Sequence, residues 1–245
     1  SDSLFSRAPR RRSNGRRGAV FFGLLHMAHL DLVWQSLPVL LMGAALTLKF
    51  ALASAALGLC VGAVVAIMGI GHNRFFRSLA RGYVSLMRGT PLLVQIFVVY
   101  YGLPDVGITL DPTSAGILAL TANAGAYLSE SMRGAIMGIG HGQWDAARSL
   151  GLGYVQILRY VIGPQALRLA VPSLGNTLIS LIKDTSLVSV ITVTELLRSA
   201  QEIIAATFQP LPLYLTAAAI YWLLSTGMST VQRYVETRLA KSLVR

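Results

Sequence analysis

The chain has 245 residues, of which 54% are hydrophobic and only 13% are charged. Soluble domains contain roughly 25% charged residues, so this composition and a mean hydropathy of +0.60 indicate an integral membrane protein. The charge-free runs at residues 50–73 and 204–232 exclude a soluble fold. The net charge is +11, but most of the basic residues flank apolar segments, as the positive-inside rule describes. No basic patch interleaved with aromatic residues is recognisable, so nucleic-acid binding is not expected.

Residues 1–36 combine an arginine-rich tail with a short apolar stretch. The arginines of the tail are Arg7, Arg10, Arg11, Arg12, Arg16 and Arg17. Such a tail is expected to be disordered or to lie against anionic headgroups. Residues 19–34 are apolar but are interrupted by His26, His29 and Asp31, which predicts an interfacial helix that meets the first span near Pro38. The alternative is an additional short span, which would place the arginines on the inner side.

Five further segments are apolar and long enough to cross a bilayer, for which about 20 residues are needed. They are residues 37–70, 83–103, 112–139, 171–194 and 211–228. The acidic loop at residues 104–111 is expected outside, and the arginines between residues 74–81 and 148–168 inside. Residues 195–209 are expected to form an outer loop or surface helix, and the last span to continue as an amphipathic helix. The sequence therefore predicts an all-α integral membrane protein with about five spans and an inner tail at residues 233–245.

The stretch between the third and fourth spans has a helical pattern although it lies outside the predicted spans. Residues 143–150 are expected to form a short helix with Ala146 and Ala147 at its centre and Asp145 near its start. Gly151 is expected to end this helix in a left-handed conformation. Pro164 is expected to break a second helix before the fourth span. The small residues would let another protein approach closely, and a helix pair lying on the bilayer is the open alternative.

This stretch resembles the inner loop of the permease subunits of binding-protein-dependent ABC importers. The family motif reads Glu-Ala-Ala, three residues, Gly, nine residues, Ile, any residue, Leu-Pro. The matching residues are Asp145, Ala146, Ala147, Gly151, Val161, Gly163 and Pro164, with Asp for Glu, Val for Ile and Gly for Leu. Four more blocks resemble the polar amino-acid branch of this family: RGTPLLVQIFVVYYGLP (88–104), NAGAYLSESMRGAI (123–136), PSLGNTLISLIKDTSLVSVI (172–191) and IYWLLST (220–226).

The resemblance implies the type I permease fold of ABC importers, with residues 37–232 as the permease domain and residues 140–168 as a cytoplasmic two-helix coupling loop. The implied partners are a second permease subunit, identical or paralogous, two ABC ATPases and a periplasmic or lipid-anchored amino-acid-binding protein. The complex would lie in the bacterial cytoplasmic (inner) membrane and import a polar amino acid. No catalytic site, metal site or cofactor is expected in this chain, because ATP and Mg would be bound by the ATPase. The residues expected to couple to the ATPase are Gln143, Asp145, Ala146, Ala147, Arg148, Gly151 and Pro164.

Polar residues within the spans are candidates for the solute path or gate, since polar and ionisable groups are costly inside a membrane. They are Gln95, Asn123, Tyr127, Glu130, Asn176, Lys183, Asp184 and Thr185. Asn123, Tyr127 and Glu130 fall on one helical face. Lys183 and Asp184 project about 100° apart, so one is expected to face a cavity and the other a helix interface.

Other interpretations of these residues and of the chain stay open. Glu130 and Arg133 are three residues apart and can form a purely structural ion pair. Arg88 is expected to extend to the membrane interface rather than to bind solute. A stand-alone secondary transporter or channel would contain inverted repeats and its own ion-coupling residues, and a membrane-anchored enzyme would need an ordered catalytic constellation. Neither is recognisable in the sequence.

Overall fold

A computed structural model describes residues 14–241, and the side chains of residues 30–239. The α-helices in this range are α1 Asn14–Ile70, α2 Arg74–Gly89, α3 Leu92–Phe97, α4 Pro112–Met137, α5 His141–Ser149, α6 Tyr154–Gln156, α7 Gly163–Asp184, α8 Leu196–Thr207 and α9 Pro210–Lys241. Short π and 3-10 segments extend α3 to Val106, join α6 to α7, and extend α7 to Ile191. No strand occurs between residues 14 and 241, and the all-α prediction is confirmed.

Three helical segments among the described residues are long and apolar enough to cross a membrane. They are Leu30–Ile70, Tyr154–Ile191 and Pro210–Leu239, and the bent pair of α2 and α3 supplies a fourth if it is counted as one span. The 26 residues of α4 extend over about 39 Å at 1.5 Å per residue. It is not among the segments named above, and Asn123, Glu130 and Arg133 lie within it. The five predicted spans thus correspond to α1, α2 with α3, α4, α7 and α9.

Helix α1 passes through the position where the sequence predicts an interfacial segment to meet the first span. It runs from Asn14 to Ile70 without a turn and contains Pro38. The predicted break near Pro38 is therefore wrong, and the alternative of an additional span would need a reversal that residues 14–70 do not contain. Proline is tolerated in membrane helices because other groups can satisfy the carbonyl that it leaves free. The arginines before residue 14 lie outside the described residues.

The second predicted span is bent and not one straight helix, which corrects the prediction. Helices α2 and α3 form an angle of 107° across a break at Thr90 and Pro91. Thr90 is extended, with φ −118° and ψ 147°, because a proline disfavours the helical conformation in the residue before it. The signal for this bend is therefore present in the local sequence.

Helix α4 lies at the centre of the bundle and packs against α1, α2, α3 and α7. Its contact with α1 is close enough for backbones to touch. A Cβ atom added to Gly62 of α1 would lie 3.0 Å from the Leu128 Cβ and 3.1 Å from the carbonyl oxygen of Gly125. Small residues permit such close packing of membrane helices, so α1 and α4 pack closely at the centre of the bundle.

The acidic loop before α4 ends in a helix cap. The Asp111 carboxylate accepts hydrogen bonds from the backbone N–H groups of Thr113 and Ser114, at 3.0 and 3.1 Å. Hydrogen bonds from the Ser114 hydroxyl and from this backbone hold the pKa of the Asp111 carboxyl below its usual value. The cap defines where α4 begins and thereby the register of the polar residues along it.

The C-terminal third of the chain forms α8 and α9. Residues 195–209, predicted as an outer loop or surface helix, contain α8, which buries Leu196 and Ala200 against α1 and α9. Helix α9 continues past the last predicted span to Lys241, which confirms that extension. The predicted boundaries of the permease domain, residues 37 and 232, lie inside the continuous helices α1 and α9.

Candidate functional site

A polar cavity of about 820 Å³ lies between the bend of α2 and α3, helix α4 and helix α7. Its polar lining consists of Arg88, Thr90, Asn123, Tyr127, Glu130, Ser131, Ser173, Asn176, Thr177, Ser180 and Asp184. The bend positions this cavity, because it carries Arg88 and Thr90 to the same space as the polar face of α4. Ser131 of α4 and Ser173 of α7 share a hydrogen bond of 2.7 Å between their hydroxyls, which joins the two walls.

The charged groups of the cavity differ in how closely each is paired with an opposite charge. Glu130 forms two hydrogen bonds with Arg133, from Nε at 2.7 Å and from Nη2 at 2.8 Å, so the predicted ion pair is present. Arg88 lies further from Glu130, at 3.9 Å, and its guanidinium stands over the Tyr127 ring at 5.2 Å from the centroid. Asp184 lines the cavity from α7 and is the other acidic residue of the lining. Because Arg133 already neutralises Glu130, Arg88 and Asp184 remain as the opposite charges that can attract a solute.

Two amide side chains hold the bend between α2 and α3. Pro91 has no N–H, so the carbonyl of Met87, four residues earlier, lacks its helical donor. Gln95 donates to that carbonyl at 2.8 Å and to the Thr90 hydroxyl at 2.9 Å. The Asn123 amide of α4 donates to the Gln95 side chain at 3.0 Å and to the Met87 carbonyl at 3.3 Å. These amides therefore stabilise the shape of the cavity wall. Both the nitrogen and the oxygen of the Gln95 side chain are already engaged in hydrogen bonds within the protein.

The structure brings together five of the eight residues predicted for the solute path. Asn123, Tyr127, Glu130, Asn176 and Asp184 line the cavity, and Gln95 stands behind the wall in contact with Asn123. Lys183 is exposed and does not line the cavity. Thr185 is fully buried and donates to the Ile182 carbonyl at 2.7 Å.

Arg88 is the main correction within the cavity. Its position in the sequence predicts that it extends to the membrane interface, whereas its guanidinium faces Glu130 and Tyr127. Helix α2 packs against α4 and ends at the bend of 107°, which places Arg88 beside the polar face of α4. Ser173, Thr177 and Ser180 of α7 also line the cavity but are not among the predicted residues, although their spacing of three to four residues places them on one helical face.

The inner loop, residues 140–168, begins with α5, and the two alanines of its motif have different surroundings. Ala147 is buried in a cluster with Ile157 and Ile162, whereas Ala146 is exposed. The prediction that both alanines form an exposed surface is therefore wrong for Ala147. A helix lying on its own chain necessarily buries one side, and Ala147 lies on that side.

The exposed side of α5 carries polar groups. The Arg148 guanidinium lies 3.3 Å from the Asp145 carboxylate, and the side chain of Gln165 donates to that of Gln143 at 3.1 Å. Asp145 is the fifth residue of α5 and not part of its first turn, which corrects the predicted placement near the helix start. Gly151 follows with φ +72°, as the sequence predicts.

Pro164 does not break the helix before the fourth span. The chain continues as a π-helical segment over Ile157–Ile162 and then as α7, with Pro164 in the first turn. The wider π turn accommodates a ring that would otherwise clash with the carbonyl four residues earlier. The inner loop is consequently one short helix, α5, followed by an extension of α7 and not a second separate helix.

A buried carboxylate outside the cavity escaped the sequence analysis. Glu195 is fully buried, and it accepts hydrogen bonds from the Thr47 hydroxyl at 3.2 Å, from the Tyr221 hydroxyl, and from the backbone N–H of Arg198 at 2.8 Å. It thereby connects α1, α8 and α9. Its position directly before an apolar helical pattern indicates a helix cap, but nothing local to it indicates burial.

The known proteins that this chain resembles are membrane components of transport systems. Residues 58–241 match the family described as "Binding-protein-dependent transport system inner membrane component". The chain is 42% identical over 217 residues to the L-cystine transport system permease protein TcyB of Bacillus subtilis (strain 168), which covers 88% of this chain and 93% of TcyB. It is 36% identical over 209 residues to the glutamine transport system permease protein GlnP of Escherichia coli (strain K12), which covers 84% of this chain and 95% of GlnP.

Solved structures agree with these relatives. A crystal structure of an amino acid ABC transporter with histidines is 35% identical and superposes with a TM-score of 0.81 over 85% of this chain and 97% of that one. The MetNI methionine ABC transporter in an inward-facing conformation, at 19% identity, superposes with a TM-score of 0.66 over 85% of this chain and 98% of that one, a likeness in fold alone. The fold predicted from the sequence is thus confirmed.

Proposed function

The chain belongs to the family of binding-protein-dependent transport system inner membrane components, and from this premise we propose that it is the transmembrane subunit of an ATP-driven importer of polar amino acids. It forms part of the translocation path and transmits the motion of a separate ATPase. Relatives named for L-cystine and glutamine transport support this solute class. The proposed permease domain is residues 37–232.

The polar cavity is the observation that carries the proposal. It presents Arg88 on one wall and Asp184 on another, so the α-carboxylate of an amino acid would meet the guanidinium and its ammonium group would meet the carboxylate. The hydroxyl groups of Ser173, Thr177 and Ser180 would accept or donate hydrogen bonds to the remaining polar atoms. At 44% exposure the Arg88 side chain stays hydrated, which keeps binding weak enough for release.

The exposed side of α5 is the proposed contact with the ATPase. Gln143, Asp145, Ala146 and Arg148 are exposed, while Ala147 anchors the helix in the chain's own core. Displacement of α5 would therefore move α7, because Ala147 packs against Ile157 and Ile162 of the π-helical segment, and this segment continues directly into α7. Rigid-body transmission of ATPase closure to the cavity wall follows from this continuity.

The proposed complex contains a second permease subunit, two ABC ATPases that bind ATP and Mg, and an outer amino-acid-binding protein. It would lie in the bacterial cytoplasmic membrane as a multi-pass protein, with the inner loop in the cytoplasm. An ATPase bound there and a binding protein on the opposite face would both be within reach of the helices that line the cavity.

Uptake by proteoliposomes tests the role of the cavity. The chain is reconstituted with its ATPase and binding protein, and uptake of radiolabelled glutamine, cystine and arginine is measured. Loss of one charge-assisted contact removes about 1.5–3 kcal/mol, so Arg88→Gln or Asp184→Asn should lower uptake of the best substrate about tenfold or more. Lys183→Gln is the matched control, because Lys183 neighbours Asp184 but does not line the cavity.

The same preparation distinguishes this function from that of a stand-alone transporter. Uptake should require ATP and the ATPase subunit. Equal uptake in Asp184→Asn, Arg88→Gln and wild type would refute the proposed path. Uptake by this chain alone, driven by a proton or sodium gradient, would refute the proposed function itself.

A further inference from the structure

A second cavity, of about 640 Å³, lies between α1, α2 and α4 and shares only Glu130 with the polar cavity. We call it the basic groove and define it by its charged residues Arg77, Arg81, Glu130 and Arg133 and by the apolar residues Val65 and Val84. The transport mechanism described above makes no use of Arg77 or Arg81.

The basic groove carries an excess of positive charge. Arg133 is neutralised by its two hydrogen bonds to Glu130. The Arg77 guanidinium donates to the Gly71 carbonyl at 2.6 and 3.2 Å, and a carbonyl does not neutralise it. Arg81 is exposed and forms no hydrogen bond or ion pair with any residue between 30 and 239. Two unneutralised guanidinium groups therefore face one groove.

The spacing of these two arginines suits a single phosphate group. Arg77 and Arg81 are four residues apart on α2, which places them on the same helical face with Cβ atoms about 6 Å apart. Opposite them, the wall formed by α1 is apolar and carries Val65. On the α2 side the groove is completed by Val84, which lies seven residues after Arg77 on the same helical face, so two of its walls offer apolar surface to an acyl chain.

The groove lies on the same side of the molecule as the inner loop. His72, in the turn between α1 and α2, contacts the Tyr154 ring edge-on at 5.2 Å between centroids, and Tyr154 stacks on Trp144 of α5. With the inner loop in the cytoplasm, as the proposed function has it, the groove opens at the level of the inner leaflet.

From this combination of charge, apolar wall and position, we propose that the basic groove binds an anionic phospholipid of the inner leaflet. Its phosphate contacts Arg77 and Arg81, and an acyl chain lies along the apolar residues of α1 and α2. A bound lipid bridges the α1–α2 turn to the centre of α4 and so stabilises the side of the bundle next to the inner loop.

Lipid retention by the purified complex tests this site. The full transporter complex in detergent is titrated with dioleoyl phosphatidylglycerol or dioleoyl phosphatidylcholine, and bound lipid is counted by native mass spectrometry. Arg81→Gln should weaken phosphatidylglycerol binding about fivefold, as expected for about 1 kcal/mol per basic residue near an anionic headgroup. Arg81→Lys should retain most of it. Arg74→Gln removes the same charge from α2 outside the groove and should leave binding within twofold of wild type, an order-of-magnitude expectation for a screened exposed charge.

Several outcomes would overturn the proposal. They are equal binding of the two lipids, equal loss in the Arg74 and Arg81 variants, and the absence of bound phosphatidylglycerol from the wild-type complex. Displacement of the lipid by excess inorganic phosphate would show that the groove takes a free anion instead. None of these results bears on transport through the polar cavity, so the two proposals fail independently.

Discussion

Replacement of Glu195 by alanine is expected to destabilise the fold more than any replacement of an exposed acid on α8. The carboxylate is fully buried and accepts hydrogen bonds from Thr47 of α1, Tyr221 of α9 and the backbone N–H of Arg198. Thr47 in turn accepts a hydrogen bond from the backbone N–H of Leu196 at 3.2 Å. Alanine at position 195 leaves three donors without their acceptor, of which the Thr47 hydroxyl is fully buried, and opens a void between three helices.

The magnitude follows from these three donors. An average hydrogen bond between membrane helices contributes about 0.6 kcal/mol, and a buried donor left unsatisfied costs about 1–3 kcal/mol. Three such bonds contribute about 2 kcal/mol and the buried Thr47 hydroxyl adds about 1–3 kcal/mol, so Glu195→Ala should lower the free energy of unfolding by about 3–5 kcal/mol. Glu195→Gln keeps the shape and one acceptor oxygen, so it should cost less, about 1–2 kcal/mol.

Unfolding of the purified protein by SDS in mixed micelles, followed by tryptophan fluorescence, measures this difference. Glu202→Ala is the control, since Glu202 lies on the same helix and its exposed carboxylate is 2.9 Å from Arg198. An exposed pair contributes about 0.2–1 kcal/mol. A value for Glu195→Ala within 0.5 kcal/mol of the Glu202→Ala value, roughly the error expected for independent mutations, would refute the reasoning.

Three further variants test the packing and the inner loop. Gly62→Ala should destabilise the contact of α1 with α4 by about 1–3 kcal/mol, whereas Gly134→Ala, where nothing lies within 4 Å, should be neutral or stabilising; equal SDS unfolding midpoints would contradict this. Gly151→Ala should cost about 1–2 kcal/mol in the same assay because its φ is +72°, and an unchanged midpoint would show that the turn tolerates a side chain. Ala147→Leu should destabilise the chain by about 1–3 kcal/mol through overpacking, while Ala146→Leu should leave the midpoint unchanged but reduce ATPase co-purification. The reverse pattern for these two alanines would mean that the exposed side of α5 is misassigned.

Local features of the sequence determine the membrane class and most helix positions. Three features depend only on neighbouring residues: the lengths of the charge-free apolar runs, the end of α5 at Gly151, and the extended backbone of the residue before Pro91. The structure contains the long apolar helices, a positive φ at Gly151 and an extended Thr90. The apolar pattern of the second span predicts one straight helix, whereas Pro91 interrupts that pattern and the chain bends at Thr90. The helical alignment of Asn123, Tyr127 and Glu130 likewise follows from spacing alone.

Which side of each helix is buried depends on residues far away in the chain. Glu195 is buried because Thr47, 148 positions earlier, and Tyr221 enclose it. Ala147 and Ala146 are chemically identical neighbours, yet only Ala147 meets the core. Spacing predicts which residues share a helical face, but burial of a carboxylate or exposure of an alanine is set by the helices that pack against that face. For that reason the membrane class and the helices could be obtained from the sequence, whereas the buried Glu195, the inward-facing Arg88 and the exposed side of α5 were decided only by the tertiary structure.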